Sequence, residues 1–208
     1  ADVLVENYRA GTLKRYGLDY DSLKELNPRL VYASITGYGQ TGPKSHRPGY
    51  DYIFQGLGGL MSYTGHPDGA PGAGPLRTGV AVVDITTGMY ATSAILAALF
   101  QRDRTGQGAY LDLALMDVAV AMNANQAANY LVSGKNPERS GNAHPNLAPY
   151  EVFRAADGYF ILAAGNDAQF TRFCEFAGRP ELAQDPLYCT NSARIQNLES
   201  LRAVLADI

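Results

Sequence analysis

An aspartate stands where two apolar stretches of the chain meet. Residues 79–100 read GVAVVDITTGMYATSAILAALF, and Asp84 is the only charged residue among them. A carboxylate at the start of a helix accepts hydrogen bonds from backbone N–H groups and lies at the positive end of the helix dipole. The same amides hold a carboxylate in its ionised form, and an ionised carboxylate can attack an acyl carbon. The sequence pattern therefore leaves two interpretations of Asp84 open, a helix cap and a nucleophile.

Glycine-rich segments and scattered cations are the remaining candidates for ligand binding. Residues 37–43 (GYGQTGP) and 65–79 (GHPDGAPGAGPLRTG) have neither GxGxxG nor GxxxxGK(S/T) spacing, so no nucleotide-binding loop is indicated. Loops that follow strands are nevertheless where α/β sheets bind ligands. Four cations near predicted strand ends are candidates for binding phosphate groups, with a solvated surface charge as the alternative for each: Arg9, Lys14, Arg15 and Arg47.

Histidine and cysteine placement indicates no metal site. The three histidines, His46, His66 and His144, lie far apart in proline-rich loops, and the two cysteines lack CxxC spacing. The sequence has no GxSxG elbow, which argues against a serine hydrolase. We therefore expect neither a bound metal nor a disulfide framework.

Composition fits a soluble enzyme of mixed α/β structure, with 46% hydrophobic and 18% charged residues in a chain of 208. The net charge of −3 and the lack of a basic run argue against nucleic-acid binding. The longest apolar run, residues 91–100, is shorter than the roughly 20 residues that a membrane span needs, so we expect no membrane association. Two isolated cysteines fit a reducing compartment. We expect a cytoplasmic protein, or one of the mitochondrial matrix if the source is a eukaryote.

The elements that must position these residues follow the pattern of a parallel sheet. Residues 2–7 and 30–39 read as buried strands separated by two short helices, which predicts a strand–helix–strand unit. Residues 78–84 are predicted as a further strand. The long helix that follows, residues 85–108, is so rich in apolar residues that we expect it to be central. Residues 109–134 are predicted as a strand that runs into another helix.

The pattern changes to antiparallel in the last third of the chain. Residues 150–165 (YEVFRAADGYFILAAG) read as a hairpin with Asp157 and Gly158 at the turn. We therefore place a domain boundary near residue 147. Residues 1–146 are assigned to a large domain, and residues 147–208 to the start of a small α+β domain.

The two ends of the sequence indicate whether the chain is part of a longer protein. Residues 1–11 read as the end of an acidic turn and a buried strand, without a signal peptide or a starting Met, and residues 197–208 stop inside a predicted amphipathic helix. We therefore expect the chain to be a fragment of a longer protein.

Several stretches taken together resemble the class III CoA-transferases, the family of formyl-CoA:oxalate and carnitine CoA-transferases. The resemblance runs in order through essentially all 208 residues. Residues 123–153 and 157–170 look closest to the members that use succinyl-CoA and a dicarboxylic acid acceptor. The stretches that carry the family resemblance are residues 1–43, residues 47–65 (RPGYDYIFQGLGGLMSYTG), residues 83–99 (VDITTGMYATSAILAAL) and residues 104–108 (RTGQG).

The resemblance implies a fold, binding partners and the absence of a permanently bound cofactor. Members of the family have a large Rossmann-like domain, a smaller α+β domain, and two subunits threaded through each other as an interlocked homodimer. Acyl-CoA and small carboxylic acids are implied as partners. Coenzyme A is then a substrate, with no permanently bound cofactor and no metal.

The resemblance also implies roles for individual residues. Asp84 matches the nucleophile of the family, and we expect it to serve in both roles, with the start of the helix holding its carboxylate in the ionised form. Pro48 stands where members have lysine, so Arg47 is expected to supply that cation. Residues 140–150 (SGNAHPNLAPY) occupy the region of a glycine-rich loop that closes over the reaction centre in the oxalate enzyme. The positions that match CoA contacts are Asn7, Tyr8, Arg9, Arg15, Arg47, Gly49 and Tyr50, and those assigned to the substrate side are Asp51, Asn142 and His144.

The implied reaction begins with attack of Asp84 on an acyl-CoA thioester, which gives an aspartyl anhydride and then an enzyme–CoA thioester. Oxyanions form at each stage, and we expect backbone N–H groups near the nucleophile to stabilise them. One alternative is isomerisation of a 2-methylacyl-CoA by proton transfer, which the racemases of this superfamily perform with a histidine where this chain has Tyr50. The other alternative is a catalytically incomplete fragment that only dimerises.

Overall fold

All 208 residues are described by the computed structural model, and contacts within the chain divide them into two units. The first unit contains residues 1–64 and 75–138, and the second contains residues 65–74 and 139–208. The second unit thus includes a short loop from the middle of the sequence. The boundary near residue 147 was predicted for the domains of a longer protein, and it stays a prediction.

Three parallel strands form the sheet of the first unit. Strand β1 (Val3–Glu6) pairs with β2 (Val31–Thr36), and β2 pairs with β3 (Ala109–Ala114), so that β2 is the central strand. Between β1 and β2 the chain forms a 3-10 turn (Leu13–Tyr16) and helix α1 (Tyr20–Leu26). The predicted strand–helix–strand unit and the α/β fold class are confirmed.

Burial explains why β2 reads as a continuous apolar run. The strand has a neighbour on each edge, and a long helix packs against it, so Val31, Tyr32, Ala33 and Ser34 are all buried. Strands of parallel sheets that are covered in this way carry no alternation of apolar and polar residues.

Five helices complete the first unit, and three of them share an apolar cluster. The buried members of this cluster are Phe54, Val83, Leu115 and Ala119, and Ile35 at the end of β2 packs against them. The cluster fixes the helices that carry Phe54 and Val83 beside the ends of the strands. The five helices are α2 (Asp51–Leu57), α3 (Leu60–Tyr63), α4 (Val82–Thr105), α5 (Leu115–Ala121) and α6 (Ala124–Ser133).

The strand predicted at residues 78–84 is wrong. Residues 79–81 form no strand, and α4 begins at Val82. A short apolar run has the same appearance whether it enters a buried strand or the first turn of a buried helix, so periodicity could not separate the two. Asp84 is therefore the third residue of a helix and does not stand at a joint between strand and helix.

Helix α4 is also less central than its composition suggested. One side packs against β2, β3, α2 and α5. The opposite side exposes a stripe of four large apolar side chains, whose exposed fractions lie between 55% and 68%. They recur at spacings that place them on one face of the helix: Ile85, Met89, Leu96 and Phe100. The expectation of a central helix is wrong for the chain taken by itself, because nothing in this chain covers that face.

By length and composition alone, α4 could cross a membrane, although 22% of its most apolar window is buried in the structure. A single helix of this kind is weak support for a membrane span, because core helices of soluble proteins meet the same criteria. The expectation of no membrane association stays a prediction.

The second unit is built around an antiparallel hairpin. Strand β4 (Tyr150–Arg154) pairs with β5 (Tyr159–Ala163), and the turn between them contains Asp157 and Gly158, as predicted. Buried Phe170, Leu182 and Leu201 belong to the core of this unit. Its remaining elements are α7 (Asp167–Phe176), a 3-10 turn (Pro180–Ala183), α8 (Asn191–Gln196) and α9 (Leu198–Ala206).

A buried arginine holds the second unit together. The Arg194 guanidinium donates hydrogen bonds to the carbonyl oxygens of Ala148 and Tyr188, at 2.5 and 2.8 Å, and to the Asp167 carboxylate at 2.8 Å. It also lies 4.5 Å from the ring centroid of Phe170. A fully buried charge is tolerated only when it is paired and hydrogen-bonded, and Arg194 meets both conditions.

Candidate active site around Asp84

A cavity of about 560 Å³ lies at the carboxyl ends of β1 and β2. Open α/β sheets bind ligands at this edge, so its position is the one that the topology favours. The cavity brings together most of the site residues that the sequence predicted, which are Asn7, Tyr8, Arg9, Arg47, Gly49, Tyr50 and Asp84.

Asp84 is exposed in the wall of this cavity and does not cap its own helix. The N-cap position of α4 is Ala81, which offers no side-chain hydrogen bond. The backbone N–H groups of Val83 and Asp84 both donate to Oδ1 of Asp51, at 2.7 and 3.3 Å. Asp51 therefore caps α4 from another helix, and the interpretation of Asp84 as a cap is wrong.

A polar network fixes Asp51 in this capping position. Its second oxygen, Oδ2, accepts a hydrogen bond of 2.6 Å from the side-chain amide of Gln55, one turn further along α2. Gln55 is fully buried, and its Oε1 accepts the backbone N–H of Thr78 at 2.9 Å. Both carboxylate oxygens of Asp51 are thus occupied within the chain. The Gln55 side chain thereby also connects the segment that leads into α4 to α2.

The electrostatics of Asp84 follow from this arrangement. The cavity wall partly desolvates its carboxylate and raises its pKa, and the negative charge of Asp51 raises the pKa further. The expectation that helix amides hold Asp84 in its ionised form is wrong, because the N–H groups of Val83 and Asp84 donate to Asp51 instead. The ionised Asp84 is consequently a more basic carboxylate than one in water.

Buried Glu6 positions the loop that carries the first predicted CoA contacts. Its Oε2 accepts the backbone N–H of Tyr8 at 2.8 Å, and its Oε1 accepts the hydroxyl of Ser34 in the neighbouring strand. The Arg9 guanidinium then reaches the carbonyl oxygen of His46 at 3.2 Å. Sequence reasoning missed Glu6, although an acidic residue that closes an apolar strand is a visible signal of a buried polar contact.

The ring of Phe54 sets the path of the loop that carries Gly49 and Tyr50. A Cβ atom at Gly49 would lie 2.1 Å from Cε2 of Phe54, and one at Gly37 would lie 3.0 Å from its Cζ. Tyr38 covers the same ring in an edge-to-face contact with centroids 5.1 Å apart. Glycine at positions 37 and 49 therefore lets the two loops close over Phe54. No local sequence pattern indicates this contact, because the residues lie in separate segments.

Four predicted site residues do not line the cavity. Arg15 lies in the 3-10 turn after β1, and Asp51 is engaged in the cap described above. Asn142 and His144 belong to the second unit. Within that unit His144 accepts the backbone N–H of Asn146 on its Nδ1 at 3.0 Å.

Comparison with known proteins points to one family. The family model described as CoA-transferase family III matches residues 1–208. The chain is 53% identical to the succinate–glutarate CoA-transferase of Agrobacterium fabrum, over 99% of this chain and 50% of that protein. It is 46% identical to the succinyl-CoA:glutarate CoA-transferase of Mus musculus, over 99% of this chain and 46% of that protein.

A solved structure agrees with these sequence matches. The crystal structure of a CAIB/BAIF family protein from Brucella suis superposes with a TM-score of 0.82 at 52% identity, and it covers 100% of this chain and 54% of that one. The chain thus spans about half the length of the curated relatives that it matches.

The contact between Asp51 and α4 generates a prediction about the charge of Asp84. Asp51→Asn keeps a side-chain oxygen for the cap and loses only the hydrogen bond from Gln55. Asn caps helices about as well as Asp, so the fold should persist. The variant removes a neighbouring negative charge, so the pKa of Asp84 should fall. Carboxyl-detected NMR titration measures this directly.

Asp103→Asn provides the matched control for this titration. It removes an equal charge from α4 itself, about 28 Å along the helix axis from Asp84, a distance at which salt screens the interaction. An Asp84 pKa that does not move in Asp51→Asn, or that falls equally in Asp103→Asn, contradicts the electrostatic role of Asp51.

Proposed function

Because the chain belongs to CoA-transferase family III, we propose that the protein containing it transfers CoA from an acyl-CoA to a carboxylic acid, with Asp84 as the nucleophile. The observation that carries this proposal is the exposed, partly desolvated carboxylate of Asp84 in a cavity that Arg9 and Arg47 also line. Succinyl-CoA as donor and a dicarboxylic acid as acceptor are supported by the names of the two relatives, which specify succinate and glutarate.

The two arginines give the cavity the charge that a CoA thioester requires. Coenzyme A carries several phosphate oxygens, and guanidinium groups bind phosphate through paired, charge-assisted hydrogen bonds. Arg47 stands next to Pro48, whose fixed ring limits the conformations of the preceding residue. We assign phosphate binding to Arg9 and Arg47.

The first half of the reaction uses the carboxylate as an acyl acceptor. A carboxylate oxygen of Asp84 attacks the thioester carbonyl, the carbon–sulfur bond breaks, and the CoA thiolate leaves with the electron pair. The product is a mixed anhydride between Asp84 and the donor acid. The thiolate then attacks the aspartyl carbonyl, which forms an enzyme thioester and releases the donor acid as its carboxylate.

The second half runs the same steps in reverse with another acid. The acceptor carboxylate attacks the enzyme thioester to give a new anhydride and free CoA thiolate. Attack of the thiolate on the acceptor's carbonyl carbon yields the new acyl-CoA and restores the Asp84 carboxylate. No proton or electron is gained or lost over the cycle.

Repulsion from Asp51 favours the first step. An ionised Asp84 faces the negative charge of Asp51, whereas the anhydride is neutral at this position. Acylation therefore relieves a repulsion that the free enzyme carries, and it consumes a carboxylate that is more basic than usual.

The oxyanions of these steps need donors other than the start of α4. The N–H groups of Val83 and Asp84 donate to Asp51, so the helix start is not available for this role. Gly49 and Tyr50 line the cavity, and each carries a backbone N–H group. We assign oxyanion stabilisation to these two amides.

We also propose that the protein forms a homodimer through the exposed stripe of α4. Ile85, Met89, Leu96 and Phe100 together form a patch of a kind that monomeric proteins rarely leave in water. Burying it against a second copy would remove this apolar surface from solvent.

The role of Asp84 is tested by Asp84→Asn in the full-length protein. A neutral amide cannot form the anhydride, so CoA transfer should fall to background. Incubation with succinyl-CoA and then hydroxylamine should convert Asp84 in the wild type and leave the variant unmodified, as read by mass spectrometry. Transfer at a near wild-type rate in the variant, or exchange of the C2 proton without transfer, would falsify the assignment.

The same variant has a stability readout that does not depend on turnover. The pKa of Asp84 is raised above 3.8 in the folded state, so the folded protein holds this proton more tightly than the unfolded chain does. The stability that this tightly held proton contributes is fully present below pH 3.8, and it is lost as the pH rises through the pKa of Asp84 in the folded state. Asp84→Asn should therefore melt higher than the wild type at pH 7, and the difference should vanish below pH 3.8.

Phosphate binding is tested by Arg47→Ala. Loss of a charge-assisted contact made equally in the ground state and the transition state should raise the KM for acyl-CoA about tenfold with little change in kcat. Arg104→Ala, an exposed arginine at the far end of α4, should leave both constants within about twofold. Equal effects in the two variants would count against the assignment.

Self-association is tested by sedimentation of the full-length protein at micromolar concentration. The wild type should sediment as a dimer, and Phe100→Glu should shift it toward monomer because a charge enters an apolar interface. Leu26→Glu, at an exposed leucine on α1, should have no such effect. A stable wild-type monomer rules the proposed interface out.

A further inference from the structure

Three glycines line the cavity, and the protein's own packing explains only two of them. Gly37 and Gly49 lie against the ring of Phe54, where a larger residue would clash. Gly88 is different, because a Cβ atom built on it would have no atom of the chain within 4 Å. Neither a neighbouring side chain nor the backbone therefore requires a glycine at this position.

The conformation of Gly88 does not require glycine either. It lies inside α4, and it is absent from the glycines with positive φ, so an L-residue would fit the backbone. A glycine inside a helix is less favourable than an alanine, because it loses more conformational freedom on folding. The position thus carries a stability cost that no contact within the chain offsets.

The missing side chain of Gly88 would point toward the nucleophile. Gly88 lies four residues after Asp84, which is about 6 Å along the helix axis and on nearly the same face. Cα–Cβ bonds in a helix tilt toward its N-terminus, so a side chain covers the turn that precedes its own Cα. A methyl group on Gly88 would project into the cavity beside the Asp84 carboxylate.

We propose that Gly88 is a specificity-determining residue that keeps open the space occupied by the acyl chain while its carboxyl carbon is bonded to Asp84. The inference rests on the proposed function and deepens it. Donor and acceptor acids each form an anhydride on the same carboxylate, so both must use this space. The substrate class that fits is an unbranched acid, whose first methylene groups lie along the helix at Gly88.

The test is Gly88→Ala in the full-length protein. The added methyl group should displace the acyl chain from its attack geometry and lower kcat/KM about tenfold or more with succinyl-CoA and glutarate. A shorter acyl chain such as acetyl should lose less. The Tm should rise at the same time, because alanine is the better helix former.

Gly56→Ala is the matched control. It makes the same replacement in α2, where the new Cβ meets only Met61 at an ordinary 3.8 Å and does not face the cavity. This variant should keep wild-type kcat/KM for every acyl group. Wild-type kinetics in Gly88→Ala, or a uniform loss for acetyl and succinyl groups, overturns the proposal.

A binding measurement separates this inference from the proposed function. With Asp84→Asn as background, to prevent turnover, Gly88→Ala should weaken the binding of succinyl-CoA several-fold and leave the binding of free CoA unchanged in calorimetry. If the wild type transfers no CoA, the proposed function fails while this selective loss still supports the role of Gly88. Equal affinities with and without the alanine, or dissociation of a dimer caused by it, would show that the glycine serves another purpose.

Discussion

The hydrogen bonds from the start of α4 to Asp51 are the contact on which the rest of the first unit depends. They fix the first turn of a helix that no side chain of its own caps, and they place Asp84 in the cavity wall. The same carboxylate stands close enough to Asp84 to raise its pKa. One residue of α2 thereby sets both the position and the basicity of the candidate nucleophile. A capping side chain at the N-cap of α4 would accept hydrogen bonds from the N–H groups of the first turn without placing the charge of Asp51 beside Asp84.

This polar contact is supported by apolar packing beneath it. Phe54 of α2 is fully buried, and Val83 of α4 packs in the same cluster. The ring of Phe54 leaves no room for a Cβ atom at position 49 and little room at position 37, so the loops lie close to α2 and form the cavity wall. Packing in the core therefore determines where the backbone amides and Arg47 lie. The site is positioned by contacts between distant segments and not by any single motif.

The separation along the sequence between contacting residues explains which features of the fold and the site could be predicted. The strand–helix–strand unit and the Asp157–Gly158 hairpin depend on neighbouring residues, and both are confirmed. The Asp51 cap joins residues more than 30 positions apart, and no local pattern signals it. The strand predicted at residues 78–84 failed for a related reason, since a short apolar run does not reveal which buried element it enters. The exposed stripe of α4 likewise depends on what covers the helix, which composition does not specify.

Two features in the first turns of α4 are unfavourable for the helix, and both lie in the cavity wall. Asp84 faces another carboxylate instead of accepting helix amides, and Gly88 places a poor helix former inside the helix. Each could be improved by a single substitution, and departures from local stability rules are expected at functional sites. The 24-residue helix tolerates them because its first turn is held by Asp51 and by the buried Val83. Stability is therefore supplied by the contacts around the first turn, which leaves the face that carries Asp84 and Gly88 open to the cavity.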